Sequence, residues 1–184
     1  MAHRGTYRLA LICCAFTALA LTSSAGAEKA GVESFTGGCE MSGTVRHDPP
    51  LTGTPAPTEI RGSFSGTCSG QLTDRQGRTR QLDGAPAKYE VRDAGGDLSC
   101  LGGTATGTGT LRLGGAEIAF SLTERRPGPG LAIVSLEGAA GGTATVFGTV
   151  SPDEDLAEAN ERCNGSGLRV IRGDARIVSV GLSG

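Results

Sequence analysis

The side chain with the most reactive chemistry in this chain is the thiol of Cys68, within Gly66-Thr67-Cys68-Ser69-Gly70. The Gly-x-Cys-x-Gly spacing matches that of a nucleophile elbow, in which a side chain at a sharp turn attacks a carbonyl carbon. Such an elbow needs a strand that leads directly into a helix. The flanking residues instead alternate as in one continuous strand, so we expect Cys68 to form a disulfide bond.

Other groups that could perform catalysis are few. His47 is the only histidine after His3, so a Ser-His-Asp triad would have to use it. It precedes Asp48-Pro49-Pro50, which favours a solvated strand end. Two acid pairs could in principle hydrolyse glycosides, namely Glu117 with Glu124 and Glu90 with Asp93. Their spacing is ordinary, so we predict no catalytic residue and no cofactor, with a carboxylate-based hydrolase or isomerase as the least favoured function.

An acidic cluster at residues 153–155 could suggest calcium. It lacks the alternating ligand spacing and the glycine of a calcium-binding loop. A helix N-terminus explains it better, because Ser151 and Glu154 form a capping box and acids favour the positive end of the helix dipole. We therefore predict no metal site, and a helix that ends near Cys163 with a left-handed cap at Asn164 or Gly165.

Residues 1–27 have the pattern of a cleaved secretory signal peptide. Arg4 and Arg8 precede an apolar run at 9–21, and small residues at 25–27 fit a cleavage site. Cleavage would remove Cys13 and Cys14, and export would bring the remaining cysteines into an oxidising space. We therefore predict a secreted, extracellular protein with two disulfide bonds formed by Cys39, Cys68, Cys100 and Cys163.

The mature segment 28–184 suits a single domain. Loss of two of the 17 basic residues leaves 15 against 19 acidic ones, a net charge of about −4. This charge disfavours a nucleic-acid partner, which needs a concentrated positive surface. No second apolar run approaches the roughly 20 residues that span a bilayer, so we expect no membrane span after cleavage.

The apolar residues of the mature segment recur with a period of two, which indicates strands. A bulge is expected at 83–86, and turns at 74–77, 93–96 and 114–115. About eight strands with local connections favour an all-β, antiparallel, up-and-down or partly open barrel with one short helix near the C-terminus, with a β-sandwich as the alternative. The predicted strands are 35–47, 58–74, 78–92, 97–113, 116–126, 131–137, 143–151 and 168–180.

An internal repeat predicts how the first two strands pair. Phe-x-Gly-x-Cys occurs at 35–39 and again at 64–68. If the connecting loop is centred between Gly53 and Thr54, opposite residues have numbers that sum to 107, and Cys39 faces Cys68. We therefore pair Cys39 with Cys68, which leaves Cys100 for Cys163.

Several of these stretches resemble a group of small, exported proteins of high-GC Gram-positive bacteria that have no assigned activity. The resemblance rests on the Phe-x-Gly-x-Cys pair and on the segments 66–74, 77–83, 102–111 and 151–155. It implies an extracellular, disulfide-bonded β-domain and supplies no catalytic residues.

The function predicted from the sequence is that of a secreted, non-enzymatic barrel that binds a small apolar ligand. The candidate interior and ligand-binding residues are Phe35, Phe64, Phe120 and Phe147. The alternative is an inhibitor or interaction module that binds an extracellular protein through an exposed loop at 46–58 or 124–130. Arg125 and Arg126, before Pro127, fit either a protease-facing loop or an ordinary hairpin tip.

Overall fold

The computed structural model describes residues 31–184, which form a closed barrel of eight antiparallel strands. Each strand pairs with the next along the chain, and the last pairs with the first. The strands are β1 (Ser34–Leu51), β2 (Ala56–Thr73), β3 (Thr79–Ser99), β4 (Gly102–Leu113), β5 (Ala116–Gly128), β6 (Leu131–Gly138), β7 (Gly141–Val150) and β8 (Leu168–Ser183). One helix, α1 (Leu156–Asn164), lies between β7 and β8.

This architecture confirms the predicted all-β barrel with a short helix near the C-terminus, in its fully closed form rather than as a sandwich. The predicted signal peptide, with Cys13 and Cys14, lies outside the described residues. Within residues 31–184, no helix is both long and apolar enough to cross a lipid bilayer.

The predicted register of the first hairpin is confirmed. Cys39 pairs with Cys68, and Gly43 faces Phe64 across the β1–β2 ladder. The small residue opposite Phe64 is required, because a Cβ at Gly43 would lie 2.6 Å from Phe64 Cα and 2.8 Å from Phe64 Cγ. Both predicted disulfides, Cys39–Cys68 and Cys100–Cys163, are present.

Strand β3 is longer than the sequence predicted. The expected bulge is confirmed, since Asp83 and Gly84 together oppose the single residue Ser69 between two regular pairs. The turn predicted at 93–96 is wrong. That segment is a second bulge, where Asp93 adopts a positive φ of 45° and the register with β4 shifts while the strand continues to Ser99.

The predicted helix end near Cys163 is confirmed, since α1 ends at Asn164, but both predicted caps are wrong. The N-cap is Asp155, whose Oδ1 accepts hydrogen bonds from the backbone of Ala157 (2.9 Å) and Glu158 (3.1 Å). The segment from Ser151 to Glu154 forms a separate turn, closed by a 3.0 Å backbone bond. Gly165 has a φ of −124° and is not left-handed, so the proposed C-terminal cap does not form.

The barrel interior is divided into two layers. A large cluster of packed side chains, which includes Phe35, Leu113, Ile118 and Ile177, lies at the end where β1 begins and β8 ends. A smaller cluster that includes Leu51 and Cys163 lies at the other end, beneath α1. The turns at 52–55, 100–101 and 129–130 lie at this second end, which we call the helix end.

The β1–β2 disulfide is predicted to stabilise the barrel by restricting the unfolded chain. The double variant Cys39→Ala/Cys68→Ala removes a covalent closure that spans 29 residues of sequence. We expect the free energy of unfolding to fall by about 3 kcal/mol. Urea unfolding followed by far-ultraviolet circular dichroism measures the loss, and an unchanged midpoint would contradict it.

Candidate functional site

The helix end of the barrel is hollow. It encloses a cavity of about 550 Å³ between the large core cluster and the α1 segment. Most of its wall is apolar and comes from strands all around the barrel, including Val45, Ile60, Phe64, Leu122, Val134 and Val146. A cavity of this size and composition is typical of sites for small molecules.

Aromatic rings form part of the boundary between the cavity and the packed core. Phe64 and Tyr89 both line the cavity, with ring centroids 5.8 Å apart. Behind them, Phe120 stacks on Tyr89 at 5.4 Å and belongs to the core. The rings thus form a rigid wall against which a ligand could pack.

A polar bridge crosses the barrel at this level. It consists of Glu124 and Arg126 on β5 and His47 on β1, and all three residues line the cavity. Arg126 Nε donates to Glu124 Oε1, and Arg126 Nη2 lies 2.9 Å from His47 Nε2. Because β1 and β5 are four strands apart in a ring of eight, the bridge joins opposite walls.

The partner of His47 determines its tautomer. A guanidinium can only donate hydrogen bonds, so Nε2 accepts from Arg126 and the ring proton lies on Nδ1. Burial, together with the positive charge of Arg126, lowers the pKa of His47 to about 3. The imidazole is therefore neutral at physiological pH. Its Nδ1 is covered by packing and has no hydrogen-bond partner within residues 31–184.

Tyr89 contributes a neutral hydroxyl to the same cavity. Burial, and secondarily the negative charge of Glu124, raises the pKa of Tyr89 well above its usual value. The phenol thus keeps its proton. The phenol and the polar bridge thus line the same cavity.

Three atoms at the bridge have unused hydrogen-bonding capacity. Glu124 Oε2, Arg126 Nη1 and the Tyr89 hydroxyl make no hydrogen bond to the described part of the chain. All three residues line the cavity. These atoms can therefore supply a ligand in the cavity with one acceptor, one donor and one hydroxyl that can do either.

The rim of the cavity is apolar and exposed. Leu101 is 61% exposed and Leu156 64%, and the less exposed Leu131 also lines the opening. Helix α1 is attached next to this rim by the Cys100–Cys163 disulfide, and Cys163 is its only buried residue. The helix therefore depends on the disulfide for much of its attachment.

The four phenylalanines predicted to face the interior have different positions. Phe35 and Phe120 are buried in the packed core, and Phe64 lines the cavity. The interior position predicted for Phe147 is wrong, because its ring is 44% exposed on the outer surface. Strand alternation explains this, since the neighbouring Val146 points inward.

Two further predictions about local environment are wrong. His47 is not a solvated strand end, since it is 1% exposed and β1 continues beyond it to Leu51. Arg126 is not at a hairpin tip, because β5 extends to Gly128 and its side chain is largely buried beside Glu124. The two proposed interaction loops shrink to 52–55 and 129–130.

The predicted acid pairs are not brought together in one site. Glu124 points into the barrel, whereas Glu117 lies on the outer surface and pairs with Arg112 at 2.6 Å. Glu90 forms outer-surface ion pairs with Lys88 and Arg92, both at 2.6 Å.

The sequence contained a signal for the residues that were missed. In β5, Ile118, Phe120 and Leu122 occupy alternate positions that face inward. Continuing the same period of two places Glu124 and Arg126 inside. In β1, Met41 and Val45 likewise share the inward face with His47.

The buried neutral histidine predicts a dependence of stability on pH. Between about pH 6.5 and pH 3, the unfolded chain binds a proton at His47 that the folded protein does not bind. The free energy of unfolding should therefore fall by about 1.4 kcal/mol for each pH unit of acidification in this window. In His47→Gln this contribution is absent.

We expect the His47→Gln variant to lose stability less steeply than the wild type between about pH 6.5 and pH 4.5, a range above most carboxylate titrations. Urea unfolding at several pH values measures both slopes. Parallel slopes would contradict the assignment of a neutral, buried His47.

Comparison with protein-family models, curated proteins and solved structures finds no match for this chain. The cavity, its apolar rim and the polar bridge are the features of the molecule that bear on its function.

Proposed function

We propose that this chain is a secreted, non-enzymatic binding protein that holds a small, mainly apolar molecule inside the helix end of its barrel. The observation that carries the proposal is the cavity of about 550 Å³, which is walled mostly by apolar side chains. An eight-stranded barrel has an interior just wide enough to be filled by side chains or to hold one small ligand.

The contrast between the two ends of the barrel supports a binding role. Large apolar residues such as Phe35, Leu113 and Ile177 pack together at one end. The other end has a wall of similar character but contains open space. Close packing is the normal state of a protein interior, so this space requires an explanation other than folding.

The apolar rim supports the same proposal. Exposed leucines at positions 101, 131 and 156 surround the opening. An apolar molecule that enters there contacts apolar side chains instead of water. The loop-based interaction module has weaker support, because the two segments proposed for it are mostly strand.

Secretion is supported by the two disulfides, which form and persist in oxidising environments. It is also supported by the signal-peptide pattern of residues 1–27. An origin in high-GC Gram-positive bacteria is part of the proposal and rests on sequence resemblance.

Filling the cavity is expected to abolish binding. Ala175 on β8 is buried and lines the cavity, whereas Val178 on the same strand is exposed on the outer surface. Ala175→Phe should weaken binding of the neutral fluorescent probe N-phenylnaphthylamine by about tenfold or more, because the new ring occupies the ligand's space. Val178→Phe is the matched control.

Fluorescence titration measures both affinities. Equal affinities for Ala175→Phe and the wild type, or no binding of the probe to the wild type, would refute the proposed site.

The Cys100–Cys163 disulfide is predicted to control how fast a ligand enters and leaves. The double variant Cys100→Ser/Cys163→Ser releases α1 from the turn that it is attached to. We expect probe release to accelerate by about tenfold, because opening of the helix no longer has to work against a covalent link. Stopped-flow fluorescence measures the rate, with Cys39→Ala/Cys68→Ala as a control disulfide remote from α1.

A further inference from the structure

The polar bridge offers a ligand both a donor and an acceptor that belong to one ion pair. Arg126 uses Nε for Glu124 and Nη2 for His47, which leaves Nη1 free. Glu124 uses Oε1 for Arg126, which leaves Oε2 free. Both residues line the cavity, so a ligand there can bond to this donor and to this acceptor.

The polar bridge carries no net charge. The carboxylate of Glu124 compensates the guanidinium of Arg126, and the imidazole of His47 accepts a hydrogen bond from Arg126 as a neutral ring. An anionic ligand would therefore meet the charge of Glu124 at close range, and a cationic one would meet that of Arg126. Burial of either ion in an apolar cavity without a counter-charge is costly.

The other charged residues that line the cavity are ion-paired or turned outward, and Glu154 forms its ion pair with Arg172 at 3.9 Å. Glu154 accepts a 3.1 Å hydrogen bond from the backbone of Arg172. Asp174 points outward and accepts a 2.7 Å bond from Ser42 on the outer surface. Arg162 lies 3.8 Å from Glu158, and its buried Nε has no hydrogen-bond partner within residues 31–184.

We infer that the cavity selects neutral, mainly apolar molecules that carry a hydrogen-bond donor directly beside an acceptor, such as a primary carboxamide. This inference rests on the proposed binding function and identifies its ligand class. The ligand's N–H groups donate to Glu124 Oε2, and its carbonyl oxygen accepts from Arg126 Nη1 or from the Tyr89 hydroxyl.

The test uses four probes that share one alkyl chain and differ in the polar group. Decanamide is neutral with a donor and an acceptor, methyl decanoate is neutral with acceptors only, decanoate is an anion, and decane has no polar group. Each competes with N-phenylnaphthylamine for the wild-type protein. We expect decanamide to bind about tenfold or more tightly than any of the other three, the effect of a hydrogen bond to a charged group.

Removing the acid should reverse the preference for charge. In Glu124→Gln the guanidinium of Arg126 loses its counter-ion, so decanoate should bind more tightly than decanamide. Glu117→Gln is the matched control, because Glu117 lies on the same strand and points outward. This variant should keep the wild-type order of affinities.

Tyr89→Phe provides an independent test if Glu124→Gln does not fold. It removes only the hydroxyl, and Phe keeps the ring that stacks on Phe120. The loss of affinity should be about fivefold greater for decanamide than for decane.

The outcomes distinguish failure of the proposed binding function from failure of the inferred ligand class. If the fluorescent probe does not bind to the wild type, both the proposed function and this inference fail. If the probe binds but methyl decanoate, decanoate or decane matches decanamide, the binding function stands and the inferred ligand class is wrong. An unchanged order in Glu124→Gln would also overturn the inferred ligand class.

Discussion

Closure of β8 onto β1 is the constraint on which the rest of this structure depends. Once the sheet is closed, every strand has two neighbours, and successive side chains must point either into the barrel or out to solvent. A charged side chain in an inward position can then reach only other inward residues. Glu124 and Arg126 meet this requirement by pairing with each other, and Arg126 reaches across to His47 on the opposite wall.

The bridge also helps to explain why the interior has two different halves. Toward the end opposite the helix end, large apolar residues such as Leu111, Ile118 and Leu136 form a buried, packed cluster. At the level of the bridge, β8 and β2 contribute the small residues Ala175 and Gly62 to the wall. Small residues at these positions leave volume between the walls, and α1 lies over this end of the barrel because Cys163 is linked to the turn at Cys100.

The sequence predicted local pairing well because local pairing follows from period and symmetry. The Phe-x-Gly-x-Cys repeat gave the register of β1 with β2, and that register then identified both disulfides. The contact between Arg126 and His47 joins residues 79 positions apart. It exists only because the barrel closes with β1 opposite β5, a long-range geometry that no local pattern encodes. His47 was also misjudged because the prolines after it suggested a strand end, whereas β1 continues through them to Leu51.

Stability alone does not account for the polar bridge. A buried ion pair contributes little more than apolar residues of the same volume, because desolvation of the two charges offsets their attraction. Here the covered Nδ1 of His47 adds the cost of an unsatisfied donor. Apolar side chains at positions 47, 124 and 126 would continue the inward pattern of Val45 and Leu122. They would extend the packed core toward the helix end. The bridge instead keeps polar atoms at the wall of an otherwise apolar cavity, an arrangement that fits selection of a ligand better than stabilisation of the fold.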